Sequence, residues 1–243
     1  MREILFYIVI LLTNIIQGIT GFAGTILAMP PGIMLVGFDV AKPVLNTLGL
    51  LAGIYVFVSF RKNVVWKELK KIVIVMAVGM AAGMAVKSFF AGNESVLYKL
   101  LGLFVILLAV NGFYKLFRPR KEETAMSPVK SCGLLLGSGV AHGMFVSGGP
   151  LLIGYLSKTI KDKVSFRATI STVWIILNGI ILIDDIQSGL WTAGLVRTQM
   201  ISIPFLIAGM AIGTWLYKRM SQLLFMKLTY VLLFIAGISL LMK

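Results

Sequence analysis

Residues 17–32 read QGITGFAGTILAMPPG, and residues 142–154 read HGMFVSGGPLLIG. The Gln-Gly and Ala-Gly pairs of the first stretch fall on the His-Gly and Gly-Gly pairs of the second, 125 residues further along the chain. Beyond these stretches, Lys42 corresponds to Arg167 at the same offset. The sequence therefore contains two copies of one apolar pattern that glycine interrupts.

The composition indicates a protein that lies in a lipid bilayer. Of the 243 residues, 58% are hydrophobic and 13% are charged, and the mean hydropathy is +0.96. A soluble protein of this length needs more charged surface than these residues can supply. We expect a multi-pass protein of the inner, cytoplasmic membrane. Its apolar stretches lie at 4–38, 43–60, 72–90, 96–117, 131–157, 168–183, 192–217 and 222–242.

Stretches 4–38 and 131–157 are broken by glycine and proline, whereas each of the others reads as one clean span. We predict an all-α polytopic membrane protein with two inverted-topology repeats. Each repeat is a glycine-broken re-entrant helical hairpin followed by three transmembrane helices. The repeats and the linker between them form one transmembrane domain. Their limits are 1–117 for the first repeat, 118–130 for a cytoplasmic linker and 131–243 for the second, inverted repeat.

Basic residues set the predicted orientation. A net charge of +14 suggests nucleic acid in a soluble protein, but here most cations lie in short connections between apolar stretches. The positive-inside rule places these connections in the cytoplasm, and nucleic acid is not an expected partner. The connections lie at 61–71, 115–130, 158–167 and 218–227.

This orientation fixes the form of the second hairpin. Stretch 131–157 begins and ends on the cytoplasmic side, and its 27 residues are too few for two crossings of about 20 residues each. It should therefore re-enter, with its turn at Ser147-Gly148-Gly149. Three full spans per repeat then invert the second copy. For stretch 4–38, two short crossings remain an alternative to a hairpin.

The two helix breaks are the candidate site for a ligand. Unwound backbone inside a bilayer exposes N–H groups at the start of a half-helix, where the helix dipole is positive. Two such breaks that meet near the midplane would hold a small anion. The alternative is that the glycines only permit close helix packing, as we expect for GMAAG at 79–83 and GMAIG at 209–213. The candidates are Gln17, Gly18, Thr20, Gly21, Gly24, Thr25, His142, Gly143, Ser147, Gly148 and Gly149.

Polar residues beside the hairpins suggest supporting roles. Lys42 and Arg167 precede the second segment of each copy, so they either draw an anion into the two vestibules or anchor the helices by snorkelling. Because stretch 168–183 is short for a crossing, we expect Arg167 to snorkel at its first end. Five further residues either line the path or brace the hairpins, namely Asn46, Thr47, Thr169, Ser171 and Asn178.

His142 is the one histidine of the chain, so it could couple transport to a proton. Its counterpart, Gln17, does not titrate, so a polar contact explains both positions more simply. The sequence has no Walker loop, no CxxC and no HExxH motif, and we expect no enzyme activity, no metal and no cofactor.

The stretches GITGFAGTILAMPPG at 18–32 and GVAHGMFVSGGPLLIG at 139–154 resemble the paired signature of the sulfite exporter TauE/SafE family. The polar helix starts AKPVLNT at 41–47 and FRATIST at 166–172 are similar to it as well. The resemblance implies transport of small anions, often sulfur oxyanions or organosulfonates. Together with the two inverted repeats, it leads us to expect a secondary transporter that moves a sulfur oxyanion, an organosulfonate or a related small organic anion by alternating access. A passive anion channel and a non-transporting membrane scaffold are the rival functions. A coupled proton and a homo-oligomer are left open.

Overall fold

The computed structural model describes residues 2–87, 99, 102–103, 106–107, 109–110, 112–114, 126–146 and 148–242. Within these ranges the chain is helical and contains no strand. The helices are α1 (Arg2–Thr20), α2 (Ala23–Val36), α3 (Phe38–Phe60), α4 (Trp66–Lys87), α5 (Pro128–Phe145), α6 (Gly149–Thr159), α7 (Lys163–Gln187), α8 (Ala193–Arg219) and α9 (Gln222–Leu241). A single 3₁₀ turn, Arg61–Asn63, follows α3.

Five helices of the described part are long and apolar enough to cross a bilayer. At a rise of about 1.5 Å per residue, helices of this length match the hydrocarbon core. The shorter α2, with 14 residues, does not reach this length. The five spans are Arg2–Thr20, Phe38–Asn63, Lys163–Gln187, Ala193–Arg219 and Gln222–Ser239. The chain is therefore a multi-pass membrane protein.

Several helix limits differ from the sequence prediction. α7 has 25 residues and begins at Lys163, so it is not the short span 168–183. Its start is fixed by Asp162, whose carboxylate accepts a hydrogen bond from the N–H of Ser165 at 2.8 Å. The expectation that Arg167 snorkels at the first end of this helix is wrong. Arg167 lies after the helix start at Lys163, and its side chain is 1% exposed.

The first long stretch breaks only where glycine conformation requires it. The helix stops at Gly21, with φ of +83°, and again at Gly37, with φ of +81°. Pro30 and Pro31 lie inside α2 and do not break it. α3 therefore begins at Phe38 instead of residue 43. The predicted stretch 96–117 and the linker 118–130 fall largely outside the described residues.

Both glycine-rich stretches fold into pairs of antiparallel helices. In the first, Gly24 of α2 packs on Gln17 of α1, and Gly32 packs further back, on Phe6. In the second, Gly148 lies against Ser138 of α5, and Leu151 of α6 reaches back to Gly137.

The second turn contains Val146 in the left-handed conformation, with φ of 55°. α5 ends at Phe145 and α6 begins at Gly149, so the turn begins and ends one residue earlier than the predicted Ser147-Gly148-Gly149. Ser147 itself is outside the described residues.

The chain divides into two compact units. The first unit contains Met1–Val73 and Arg167–Met220, and the second contains Ile74–Phe166 and Ser221–Lys243. Each unit thus combines segments from both sequence copies.

The two GMAxG motifs make the same packing contact, one in each unit. In the first unit, Gly209 and Gly213 of α8 lie against the backbone oxygens of Leu11 and Ile15 in α1. In the second unit, the counterpart glycines of α4, Gly79 and Gly83, lie against the oxygens of Leu136 and Val140 in α5. Leu136 and Val140 are 125 residues after Leu11 and Ile15. The prediction that these motifs serve helix packing is confirmed.

Within the first unit, α3 and the part of α7 from Arg167 onward run antiparallel. Lys42 pairs with Asp185, and the Asn46 amide donates to the carbonyl oxygen of Asn178 at 3.1 Å. Further along α3, a Cβ added to Gly53 would lie 2.7 Å from the carbonyl oxygen of Ser171. As the residue numbers rise along α3, those of its partners in α7 fall.

Candidate functional site

The turn between α1 and α2 supplies its own hydrogen-bond acceptors. Thr20 Oγ1 accepts from the N–H groups of Phe22 and Ala23, at 3.4 and 3.3 Å. Gln17 Oε1 accepts from the N–H of Gly24 at 2.7 Å. These side chains cap the start of α2, which differs from the expected set of free donors. Gln17 and Thr20 are buried and act inside the hairpin.

Two of the predicted site glycines in this hairpin are packing positions. A Cβ on Gly18 would lie 3.0 Å from both the Cα of Gly213 and the carbonyl oxygen of Met210. A Cβ on Gly24 would lie 2.7 Å from the Cβ of Gln17. Close helix approach therefore accounts for Gly18 and Gly24 without a ligand.

Gly21 differs, because it faces polar side chains of α7. A Cβ at this position would lie 2.7 Å from Ser171 Oγ and 3.3 Å from Arg167 Cγ. Both α7 side chains are 1% exposed. The left-handed turn at Gly21 therefore brings the first hairpin against a buried cation and a buried hydroxyl.

Arg167 is the largest of the fully buried side chains. Its Nη2 donates to Thr214 Oγ1 at 2.8 Å. Its guanidinium carbon lies 5.0 Å from the ring centroid of Phe60 and 4.4 Å from that of Tyr217. Arg167 Nε and Nη1, and Ser171 Oγ, have no hydrogen-bond partner among the described residues. We call Gly21, Phe60, Arg167, Ser171, Thr214 and Tyr217 the Arg167 cluster.

The charge of Arg167 is incompletely compensated. In the described ranges, no carboxylate pairs with it. Burial of an unpaired ion costs several kcal/mol even after relaxation of the protein. The aromatic faces return about 2 kcal/mol and the bond to Thr214 about 1.5–3 kcal/mol. A buried cation with two unused donors beside an unused hydroxyl is suited to hold an anion.

Lys42, the counterpart of Arg167, is compensated. Its ammonium pairs with Asp185 at 2.5 Å, and that aspartate is 1% exposed. Asp185 lies 125 residues after Phe60, the residue that faces Arg167. The two cations thus correspond along the sequence, and so do the residues that face them. Sequence reasoning missed the Asp185 pairing, because the 125-residue offset relates Lys42 to Arg167 but does not show which side chain faces either cation.

Four of the remaining polar residues brace helices within the first unit. Thr25 Oγ1 donates to the carbonyl oxygen of Leu45 at 3.5 Å, which links α2 to α3. Asn46 and Asn178 join α3 to α7. Thr169 Oγ1 accepts from the N–H of Val65 at 3.0 Å.

The second hairpin has a different lining. His142 is 2% exposed, and Gly143 packs against the backbone of Met80 in α4. Ser138 Oγ donates to the carbonyl oxygen of Gly148 at 2.7 Å. The N-cap residue of α6 is Gly148, which has no side chain to cap the helix, and Pro150 removes one N–H there.

Comparison with known protein families gives a match over most of the chain. The family described as Sulfite exporter TauE/SafE matches residues 6–240 of the chain. No curated protein and no solved structure matches it.

Proposed function

Because the chain belongs to the sulfite exporter TauE/SafE family, we propose that it is a secondary transporter of a small anion, and that Arg167 binds the anion. The family implies a membrane exporter of sulfite or related sulfur anions. The proposed substrate class is a sulfur oxyanion or an organosulfonate, carried across the cytoplasmic membrane by alternating access.

The observation that carries this proposal is the incompletely compensated charge of Arg167. A guanidinium in a dry interior gains more from an anion than one at the surface, since the surroundings screen the attraction less. Nε and Nη1 of Arg167 supply two donors, and the hydroxyl of Ser171 supplies a third. We therefore place the anion in the Arg167 cluster, beside Gly21.

We propose that His142, Gly148 and Gly149 of the second hairpin also bind the anion. The start of α6 has a glycine, Gly148, at its N-cap, and His142 lies one turn before the break. Ser147 belongs to the same proposal through its hydroxyl. The prediction that both hairpins share one anion stays a prediction.

We propose inverted repeats on the basis of contacts within the first unit. α3 and α7 are counterparts in the two sequence copies, and they run antiparallel. Asn46 contacts Asn178, and their counterparts Ser171 and Gly53 also contact each other. A contact that maps onto itself when the two copies are exchanged is typical of a two-fold relation. Two counterpart helices that run in opposite directions favour inversion.

The burial of the Arg167 donors supports the proposal of alternating access. Arg167 Nε and Nη1 are closed to solvent. An anion therefore reaches them only after the turn at Gly21 or a neighbouring helix moves. In a carrier, such a movement opens the site to one side of the membrane at a time.

The test is transport of labelled sulfite, thiosulfate and an organosulfonate in proteoliposomes. We expect saturable flux for at least one anion and a loss of about tenfold or more in Arg167→Gln, because one charge-assisted hydrogen bond is worth about 1.5–3 kcal/mol. The matched control is Arg219→Gln. Arg219 also lies over an aromatic ring, that of Trp215 at 3.9 Å, but it is exposed.

The rival functions give different results in this assay. A current that scales with voltage and does not saturate indicates a passive channel. A protein that moves none of the three anions is not the transporter proposed. Equal flux in Arg167→Gln and Arg219→Gln removes Arg167 from the site.

A further inference from the structure

We propose that Asp185 is a built-in counter-ion that occupies, at Lys42, the place that the substrate anion takes at Arg167. Phe60, which faces Arg167, carries no negative charge, so the substrate anion supplies the charge that Arg167 requires. Of the two counterpart cations, only Arg167 then binds the substrate anion. This inference rests on the proposed function and adds the reason why the two counterpart cations act differently.

The contacts between α3 and α7 fix the correspondence. Exchange of the two sequence copies turns the Asn46–Asn178 contact into the Gly53–Ser171 contact, and both are present. The same exchange turns the Lys42–Asp185 pair into Arg167 facing Phe60, which is also present at 5.0 Å. Four contacts therefore reduce to two types, each of which occurs twice.

The side chains at these positions differ in one chemical respect. At Lys42 the facing residue is a carboxylate, which supplies a full negative charge and two acceptor oxygens. At Arg167 the facing residue is a phenyl ring, which offers a weak electrostatic attraction and no acceptor. The anion that completes the Arg167 cluster should therefore resemble a carboxylate, as a small oxyanion does.

The neighbours of each cation agree with these roles. Within the part of the chain that the structure describes, Arg167 Nε and Nη1 have no hydrogen-bond partner, and neither does the hydroxyl of Ser171. Lys42 is less deeply buried, with 13% of its side chain exposed against 1% for Arg167, and its charge is already paired with Asp185. A second substrate anion at Lys42 would have to displace a buried carboxylate that is covalently attached.

The decisive variants change position 60. Phe60→Asp places a carboxylate opposite Arg167 and reproduces the arrangement at Lys42. Phe60→Asn is the matched control, since it has the same size as the aspartate variant and carries no charge. We expect the half-saturating sulfite concentration to be at least tenfold higher in Phe60→Asp than in Phe60→Asn, because the attached carboxylate competes with sulfite.

A second measurement applies if Phe60→Asp does not fold. Asp185→Asn removes the counter-ion of Lys42 while it keeps the shape of the side chain. In detergent, we expect sulfite to raise the melting temperature of Asp185→Asn more than that of the unaltered protein, because Lys42 then also binds sulfite.

The outcomes separate this inference from the proposed function. Saturable sulfite flux with equal half-saturation in Phe60→Asp and Phe60→Asn overturns the inference alone. An equal sulfite-dependent rise in melting temperature in Asp185→Asn and the unaltered protein also overturns it. If the unaltered protein transports no anion, the proposed function fails and the inference falls with it.

Discussion

The side-chain oxygen of Gln17 accepts a hydrogen bond from the backbone N–H of Gly24 at 2.7 Å, across the turn of the first hairpin. Both residues are buried. The bond joins the last turn of α1 to the first turn of α2, so it stabilises the hairpin without a ligand.

This bond predicts a stability effect of Gln17→Ala. The substitution leaves the N–H of Gly24 buried without a partner, which should lower the free energy of unfolding by about 1–3 kcal/mol. Thermal unfolding in detergent measures the effect. The control is Gln187→Ala at the exposed end of α7, where we expect little change. Equal melting temperatures for the two variants would show that the cap contributes nothing.

The packing glycines predict a contrast between two alanine substitutions. Gly213→Ala puts a methyl group against the backbone of α1 at Ile15 and Gly18, which should destabilise the protein by about 1–3 kcal/mol. Gly133 lies within α5, and no neighbouring atom lies close to a Cβ added there, so Gly133→Ala should stabilise the protein by up to about 1 kcal/mol. Thermal unfolding of the pair tests this, and a tolerated Gly213→Ala contradicts the close approach of α1 and α8.

His142 predicts how transport depends on pH. Its counterpart Gln17 has a polar contact role without titration. We therefore expect His142→Gln to keep the pH profile of sulfite flux. The measurement is the ratio of the sulfite flux at about pH 6 to that at about pH 8. These values lie on either side of about 6.5, the usual pKa of histidine. A pH dependence that disappears in His142→Gln would instead assign His142 to proton coupling.

The proposed inversion of the repeats and the expected re-entrance of the second hairpin predict which positions a membrane-impermeant thiol reagent labels. In a Cys132→Ser background, we expect Asn63→Cys, Lys130→Cys and Lys161→Cys to be labelled from the cytoplasmic side. Ser188→Cys should be labelled from the opposite side. All four positions are exposed. Labelling of Lys130→Cys and Lys161→Cys from different sides would show that the second hairpin crosses the bilayer.

The sequence predicted the helical class and both glycine breaks, because apolar length and glycine at a turn are local properties. It misjudged α7, since counting only apolar residues ignored the cap at Asp162 and the polar first turns that follow it.

It also misjudged the burial of Arg167. Side-chain burial depends on which faces of α3, α7 and α8 meet, and α3 is far from the other two along the chain. The capping of α2 by Gln17 was missed for a similar reason, because a side chain that reaches seven residues forward depends on the path of the turn.

In the proposed transport cycle, the burial of Arg167 should also affect how fast the empty carrier returns to its starting conformation. Reorientation with this charge unneutralised leaves an ion in a low-dielectric interior, whereas a bound oxyanion removes that cost. We therefore expect exchange of one anion for another to be faster than net transport. Labelled sulfite should leave proteoliposomes faster when unlabelled sulfite is present on the opposite side.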